Sequence, residues 1–181
     1  MGSELFGKTL AIFGLGRVGG LVAERAAAFG MNLIGHDPYC SPERALHLGV
    51  TLYDDMAPVL AQADFITVHL PRTVSTLGMF GADEFAAMKD GVRIVNLARG
   101  ELVDTEALKA ALASGKCAAY VTDFPNSETA AMEGVVAIPH LGASTPESEE
   151  NCAVMAAQEL KDYLENGNIP VSYTHLTLPT T

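Results

Sequence analysis

Basic residues are scarce in this chain of 181 residues, which has 11 Lys and Arg against 22 Asp and Glu and a formal net charge of −11. A nucleic-acid-binding surface needs clustered cations that displace counterions from phosphates, so no nucleic-acid partner is expected. Anionic membrane surfaces are disfavoured for the same reason. No apolar run reaches the roughly 18 residues that cross a bilayer, and we expect no secretory signal or membrane partner.

Cysteine is also scarce, with Cys40, Cys117 and Cys152 far apart in the sequence. An odd number of separated cysteines suits neither a disulfide framework nor a zinc site. It is typical of buried thiols in a reducing compartment, so we expect a cytoplasmic protein without a bound metal. Hydrophobic residues make up 49% of the chain and charged residues 18%, which predicts a packed core rather than disorder.

Apolar runs of strand length alternate with segments of helix length along the chain. Strands are predicted over residues 9–13, 32–36, 52–53, 65–70, 92–97, 118–122 and 135–138, with helices between them and a last helix over about 146–165. This alternation predicts an α/β fold with a doubly wound parallel sheet covered on both faces. Residues 1–171 are assigned to this one domain. Residues 172–181 contain no Asp, Glu, Lys or Arg and are predicted to be a non-native or junctional tail.

A glycine-rich motif, Gly14-Leu15-Gly16-Arg17-Val18-Gly19, lies between the first predicted strand and the first helix. In this context G-x-G-x-x-G indicates a Rossmann-type dinucleotide site. Gly14 permits a tight turn, Gly16 lets a diphosphate approach the backbone, and Gly19 lets the helix pack on the strand. The N–H groups and dipole at the start of the helix favour the negative charge of the diphosphate.

Asp37 follows the second strand, 18 residues beyond Gly19. A carboxylate there can accept hydrogen bonds from both hydroxyls of the adenosine ribose and would repel a 2′-phosphate, which predicts NAD rather than NADP. Two alternatives compete with this interpretation. One is a glycine-rich turn with a helix-capping aspartate, and the other is a methyltransferase with a related fold.

Three side chains that suit hydride transfer on a 2-hydroxy acid follow later strands: Arg99, Glu128 and His140. Parallel strands bring the residues after their carboxyl ends to one edge of the sheet. Histidine has a pKa near neutrality and can act as the base that takes the proton of the substrate hydroxyl. A carboxylate can hold the histidine ring in place, and arginine can bind the substrate carboxylate. The competing interpretations are a structural ion pair for Arg99, a satisfied loop histidine for His140 and a solvated acid for Glu128.

Four motifs together resemble the nucleotide-binding domain of the D-2-hydroxyacid dehydrogenase family. They are Leu5-Phe6-Gly7-Lys8-Thr9-Leu10 leading into the glycine motif, Val68-His69-Leu70-Pro71, Asn96-Leu97-Ala98-Arg99-Gly100-Glu101-Leu102-Val103-Asp104, and Pro139-His140-Leu141-Gly142-Ala143-Ser144-Thr145. The resemblance covers about residues 4–169. The last motif is most similar to the branch of the family that oxidises 3-phosphoglycerate to 3-phosphohydroxypyruvate in serine biosynthesis.

The resemblance implies a role for each residue. Arg99 would bind the substrate carboxylate and carbonyl oxygen, His140 would be the acid/base, and Glu128 would be the partner of His140. The expected NAD contacts are Arg17 and Val18 at the diphosphate, Asp37 at the ribose, His69, Pro71 and Thr76 along the cleft, Asp123 at the nicotinamide carboxamide, Leu97, Ala98, Gly142 and Ala143 around the nicotinamide, and Arg99 and His140 beside it. The family also implies a homodimer formed through this domain.

The chain departs from the family pattern in two respects. Glu128 is followed by Thr129 rather than by the usual proline. The substrate-binding lobe of the family is missing, so we expect a domain that binds NAD but turns over poorly alone. The functional alternatives are another D-2-hydroxyacid dehydrogenase, such as a hydroxypyruvate or glyoxylate reductase, and a non-catalytic NAD-sensing module like the C-terminal-binding-protein corepressors.

Overall fold

A computed structural model of the protein describes residues 2–168. Its strands are β1 (Thr9–Phe13), β2 (Asn32–His36), β3 (Thr51–Leu52), β4 (Phe65–Val68), β5 (Val92–Asn96), β6 (Cys117–Thr122) and β7 (Val135–Ala137). Its α-helices are α1 (Arg17–Ala28), α2 (Pro42–His47), α3 (Met56–Gln62), α4 (Ala82–Ala87), α5 (Thr105–Ala113) and α6 (Pro146–Asn166). Short 3-10 helices cover Gly100–Leu102 and Thr129–Ala131.

The seven strands form one parallel sheet in the order β3-β2-β1-β4-β5-β6-β7. The predicted doubly wound α/β fold is therefore confirmed. The strand order reverses between β1 and β4, because the chain adds β2 and β3 on one side of β1 and the later strands on the other. In open sheets of this kind ligands bind at the carboxyl ends of the strands beside this reversal.

Two apolar clusters build the core, as two-sided burial of the central strands requires. Successive residues of β1 belong to different clusters, since Ala11 and Phe13 pack in one and Leu10 and Ile12 in the other. Small buried side chains on α1, such as Ala23, let this helix approach the sheet closely. The start of α1 is thereby fixed above the carboxyl end of β1.

Several sequence predictions need correction. The fourth strand ends at Val68 rather than at residue 70, because the chain turns away from the sheet two residues before Pro71. Only Cys117 is buried, whereas Cys40 is half-buried and Cys152 is exposed, so the expected set of buried thiols is wrong. Burial raises the pKa of the Cys117 thiol to about 11.

The chain divides into two compact units, with the boundary between His140 and Leu141. The first contains the whole sheet. The described part of the second contains α6, which Thr145 caps by accepting a hydrogen bond from the Ser148 N–H at 3.1 Å. The predicted domain end at residue 171 and the predicted tail of 172–181 lie outside the described residues. Within residues 2–168 no helix combines the length and apolarity needed to cross a bilayer.

Candidate active site

The glycine-rich turn between β1 and α1 is closely packed at two of its glycines and open at the third. A Cβ on Gly19 would lie 1.9 Å from the carbonyl oxygen of Gly14, and a Cβ on Gly14 would lie 2.7 Å from the carbonyl oxygen of His69. Gly14 also has a φ of +91°, which only glycine adopts readily. At Gly16 an added Cβ would meet no described atom within 4 Å. The turn therefore leaves free space at the start of α1.

The first turn of α1 carries no acidic residue, and Gly16 at its N-cap has no side chain that could cap it. Arg17 and Val18 open the helix, and both are exposed. An uncapped helix N-terminus presents N–H donors and a positive dipole end to an anion. These features suit the diphosphate predicted at this turn.

Asp37 lies just beyond β2 and faces the turn. Its Oδ2 accepts a hydrogen bond from the Leu15 N–H at 2.7 Å, and its Oδ1 accepts one from the Tyr39 N–H at 2.9 Å. Each carboxylate oxygen has a second acceptor site, so both oxygens retain the capacity to accept from a ribose hydroxyl. The carboxylate thus stabilises the turn and remains suited to the predicted ribose contact.

The segment after β4 borders the same turn. His69 lies against Gly14 and Gly19, and its Nε2 is 3.0 Å from the Thr67 hydroxyl. Burial lowers the pKa of His69 below the ordinary histidine value, so the ring is neutral near pH 7. Further along, the Thr76 hydroxyl donates to the carbonyl oxygen of Pro71 at 2.7 Å and closes this loop.

A buried asparagine shapes the turn that follows β5. The Asn96 amide donates to the carbonyl oxygen of Arg99 at 2.8 Å and to the Tyr120 hydroxyl at 3.0 Å, and its oxygen accepts from the Ala98 N–H at 3.2 Å. Leu97 is left exposed at the sheet edge. These hydrogen bonds fix the backbone of the turn from Ala98 to Arg99, so the Arg99 side chain starts from a defined position.

The predicted base, His140, is paired with Asp123 rather than with Glu128. Nδ1 of His140 lies 2.6 Å from Oδ2 of Asp123, whose side chain is only 10% exposed, whereas the imidazole is 56% exposed. The other carboxylate oxygen, Oδ1, is buried and finds no hydrogen-bond partner among residues 2–168. A buried acceptor without a donor is costly, so this atom suits an amide donor from a ligand.

Phe124 joins the predicted arginine to the predicted histidine, a contribution that the sequence reasoning did not assign. Its ring centroid is 4.3 Å from that of the His140 ring and 5.2 Å from the guanidinium carbon of Arg99. The strand periodicity gives no sign of this role. The signal that was present is its position directly after Asp123, at the carboxyl end of β6.

Glu128 lies outside this cluster, so the expected pairing of Glu128 with His140 is not formed. Its Oε1 is 3.2 Å from Nζ of Lys109 on α5, and both side chains are about half exposed. The Asn126 side chain accepts hydrogen bonds from the Glu128 N–H at 3.0 Å and the Thr129 N–H at 2.7 Å, which fixes this loop. The short loop therefore presents Glu128 to the nearest lysine.

Gly142 and Ala143 belong to the second unit, in the exposed turn that precedes α6. The other predicted site residues belong to the first unit, at the carboxyl ends of β1, β2, β4, β5, β6 and β7. The predicted site residues of the first unit therefore share the carboxyl edge of the sheet. The residue pattern did not indicate that Asp123 is the acid paired with the histidine.

The fold and the site together define a dinucleotide-binding domain of the oxidoreductase type. A glycine-rich turn, an aspartate after β2 and a His–Asp pair are arranged along the carboxyl edge of one parallel sheet. The open space at Gly16 and the unpaired Oδ1 of Asp123 fit a diphosphate at one end and a carboxamide at the other. The residues present therefore fit a nicotinamide dinucleotide.

The chain belongs to the D-isomer specific 2-hydroxyacid dehydrogenase family, whose NAD binding domain matches residues 1–142. The family resemblance and the NAD cofactor predicted from the motifs are confirmed by this match. The match contains the whole parallel sheet, the glycine-rich turn and the His140–Asp123 pair.

Individual relatives agree with the family. The chain is 43% identical over 169 residues to the D-3-phosphoglycerate dehydrogenase of Methanocaldococcus jannaschii, covering 90% of this chain and 32% of that protein. The D-3-phosphoglycerate dehydrogenase of Rattus norvegicus is 44% identical over 175 residues, covering 93% of this chain and 33% of the relative. The chain thus spans about a third of the length of these relatives.

A solved glyoxylate reductase from Paecilomyes thermophila superposes with a TM-score of 0.83 at 36% identity. The match covers 94% of this chain and 53% of that one.

Proposed function

We propose that this chain is the cofactor-binding part of an NAD-dependent dehydrogenase that oxidises 3-phosphoglycerate to 3-phosphohydroxypyruvate. The observation that carries the proposal is the His140–Asp123 pair at 2.6 Å, next to Phe124 and Arg99 on the edge of an NAD-binding sheet. The choice of substrate is supported by identities of 43% and 44% to D-3-phosphoglycerate dehydrogenases.

His140 is proposed as the acid/base because its partner determines which ring nitrogen is free. A carboxylate oxygen can only accept, so Nδ1 of His140 donates to Asp123 and Nε2 is left to exchange a proton with substrate. In the oxidative direction Nε2 takes the proton of the C2 hydroxyl while the C2–H bond breaks. Bound NAD⁺ supplies the hydride acceptor. The Asp123 carboxylate then stabilises the imidazolium.

Arg99 is proposed to bind the substrate carboxylate and the oxygen on C2. Its guanidinium is exposed and lies over the Phe124 ring, the same ring that contacts His140. A planar guanidinium can hold a carboxylate with two parallel hydrogen bonds. This contact would orient C2 toward the base.

The proposed cofactor contacts follow the same edge of the sheet. The turn of Gly14, Gly16 and Gly19 with Arg17 and Val18 would hold the diphosphate, and Asp37 the ribose. His69, Pro71, Thr76, Leu97 and Ala98 would line the cleft, and Oδ1 of Asp123 would accept from the carboxamide. Gly142 and Ala143 are proposed next to the nicotinamide from their position in the motif.

Glu128 stays in the proposal as an acid that could join His140 in the complete enzyme. Its position five residues after Asp123 supports this role, and its ion pair with Lys109 would have to break first. We also propose that the enzyme works in the cytoplasm, in serine biosynthesis, as a homodimer. Exposed apolar side chains at the edge strand, such as Val136, support such an interface.

The test has a binding arm and a turnover arm. The chain is titrated with NADH and NADPH by calorimetry, and the expected result is binding of NADH in clear preference. In the whole enzyme that contains this chain, 3-phosphoglycerate is expected to drive NADH formation, and His140→Ala is expected to reduce the rate by at least about 100-fold, the usual scale of general-base catalysis, while NADH affinity is retained. Tight NADH binding without turnover on any D-2-hydroxy acid would favour an NAD-sensing module instead.

A further inference from the structure

Arg44 contacts the glycine-rich turn, although it lies outside every motif that the cofactor site uses. Its Nε donates to the carbonyl oxygen of Leu15 at 3.0 Å, and its Nη2 donates to that of Gly16 at 3.1 Å. The sequence separation is 29 and 28 residues, so this contact is made by the fold and not by a local turn. One guanidinium therefore spans two consecutive peptide groups of the turn.

The position of Arg44 is itself well determined. It is the third residue of α2, where its N–H donates to the Ser41 side chain at 3.2 Å in the N-cap. The next residue, Ala45, is buried in the core and anchors the helix. On the opposite side, a Cβ at Gly20 would lie 3.2 Å from Nη2 of Arg44, so glycine at this position of α1 gives the guanidinium room.

The geometry of the trans peptide turns these contacts into an effect on the N–H groups. In a trans peptide the C=O and N–H bonds point in opposite directions. The Leu15 carbonyl oxygen is held by Arg44, and the Gly16 carbonyl oxygen by Arg44 together with the Gly20 N–H at 3.0 Å. Both contacts direct the N–H groups of Gly16 and Arg17 away from Arg44. Asp37 accepts a hydrogen bond from the Leu15 N–H at 2.7 Å.

The charge of Arg44 adds to this arrangement. Among residues 2–168 its guanidinium forms no ion pair within 4.0 Å, and α1 has no acid in its first turn. The Asp37 carboxylate lies at the same residue, because Leu15 donates its N–H to Asp37 and accepts from Arg44. The Arg44 guanidinium therefore offsets the negative charge of Asp37 beside the place where the turn is open.

We propose that Arg44 is a positioning residue for the cofactor diphosphate: it holds two carbonyl oxygens of the glycine-rich turn so that the N–H groups of Gly16 and Arg17 point to the ligand. This inference rests on the NAD site of the proposed function and not on the identity of the substrate. It predicts that Arg44 matters for ligands that carry a diphosphate and not for adenosine alone.

The experiment uses Arg44→Met, Arg44→Lys and the matched control Arg25→Met. Arg25 also donates to a backbone carbonyl, that of Leu21 at 2.8 Å, but lies on the exposed side of α1 away from the turn. NADH and ADP binding are measured by calorimetry, adenosine binding by ligand-observed NMR, and folding by thermal unfolding. Amide spectra report the Gly16 and Arg17 N–H groups directly.

The expected result for Arg44→Met is a loss of about tenfold in NADH and ADP affinity, on the scale of one lost charge-assisted contact. Adenosine affinity and the Arg25→Met control should stay at the wild-type level. Arg44→Lys should recover only part of the loss, because an ammonium cannot span two carbonyls with a planar fork. The Gly16 and Arg17 amide signals should shift in both Arg44 variants.

Three outcomes would overturn the inference: wild-type NADH affinity in Arg44→Met, an equal loss for adenosine and ADP, or full recovery in Arg44→Lys. Full recovery would mean that charge alone acts and that the orientation of the carbonyls does not matter. If wild-type protein bound no NADH at all, the proposed function itself would fail. That result differs from a failure of the inference about Arg44, because it would be seen with the wild-type protein before any variant is tested.

Discussion

The two ends of the candidate site are built in different ways. The diphosphate end is assembled from residues 14–44, where Asp37, Arg44 and the close-packed glycines hold one short turn. The catalytic end draws on side chains from three strand ends, and one of its expected members, Glu128, is bound to Lys109 instead of His140. The residues that hold the diphosphate turn thus come from one stretch of about 30 residues, whereas the catalytic pair depends on which side chains from separate strand ends meet.

The strongest test of the diphosphate end compares Gly19→Ala with Gly16→Ala. A Cβ on Gly19 would lie 1.9 Å from the carbonyl oxygen of Gly14, so the turn must open, and we expect both NADH binding and stability to be lost. A Cβ on Gly16 meets no described atom within 4 Å, so this variant should fold normally and bind NADH more weakly. Calorimetry and thermal unfolding separate the two effects. Equal stability loss in both variants would contradict the distinction between a packing glycine and an approach glycine.

At the catalytic end, Asp123→Asn and Glu128→Gln are compared in the whole enzyme. An amide at Asp123 can donate to Nδ1 and stabilise the wrong tautomer, so we expect the turnover rate to fall by about 100-fold, on the scale of lost orienting contacts. Glu128→Gln should shift the pH–rate profile, because the proposed function brings this acid to His140 during turnover. An unshifted profile would show that Glu128 keeps its ion pair with Lys109 during the reaction.

Replacing Asp37 with Ala is expected to weaken NADH binding by about tenfold, because the ribose acceptor and the Leu15 N–H contact are lost together. Discrimination against NADPH should relax, since the repulsion of a 2′-phosphate is removed. Parallel titrations with the two cofactors measure both changes. An unchanged preference for NADH would contradict the ribose assignment.

The smallest expected effect concerns the pH dependence of stability at His69. Burial lowers the pKa of His69 in the folded chain, whereas the pKa of a histidine in an unfolded chain is about 6.5. As the pH falls below that value the unfolded chain binds a proton that the folded chain does not, so the free energy of unfolding decreases until the folded pKa is reached. His69→Gln should remove this part of the decrease. Urea unfolding at pH 7.5 and pH 5.5 measures it, and an identical decrease in both proteins would contradict it.

Much of the fold could be predicted from the sequence because its signals are short-range. Apolar runs, the glycine motif and capping residues such as Ser41 and Asp104 lie within a few residues of the elements that they specify. The ends of the strands were predicted less well. The fourth strand ends at Val68 although it was predicted to reach residue 70, because strand pairing can stop before an apolar run does.

The amino-acid sequence by itself determined the parallel α/β fold, the glycine-rich turn and the edge at which Arg99 and His140 lie, because hydrophobic period and turn chemistry are local. Only the tertiary structure decided that Asp123 pairs with His140, that Phe124 joins it to Arg99 and that Arg44 holds the turn. These contacts join residues 16 to 29 positions apart in the chain, and side-chain contacts over such separations depend on distances and angles that the fold alone sets.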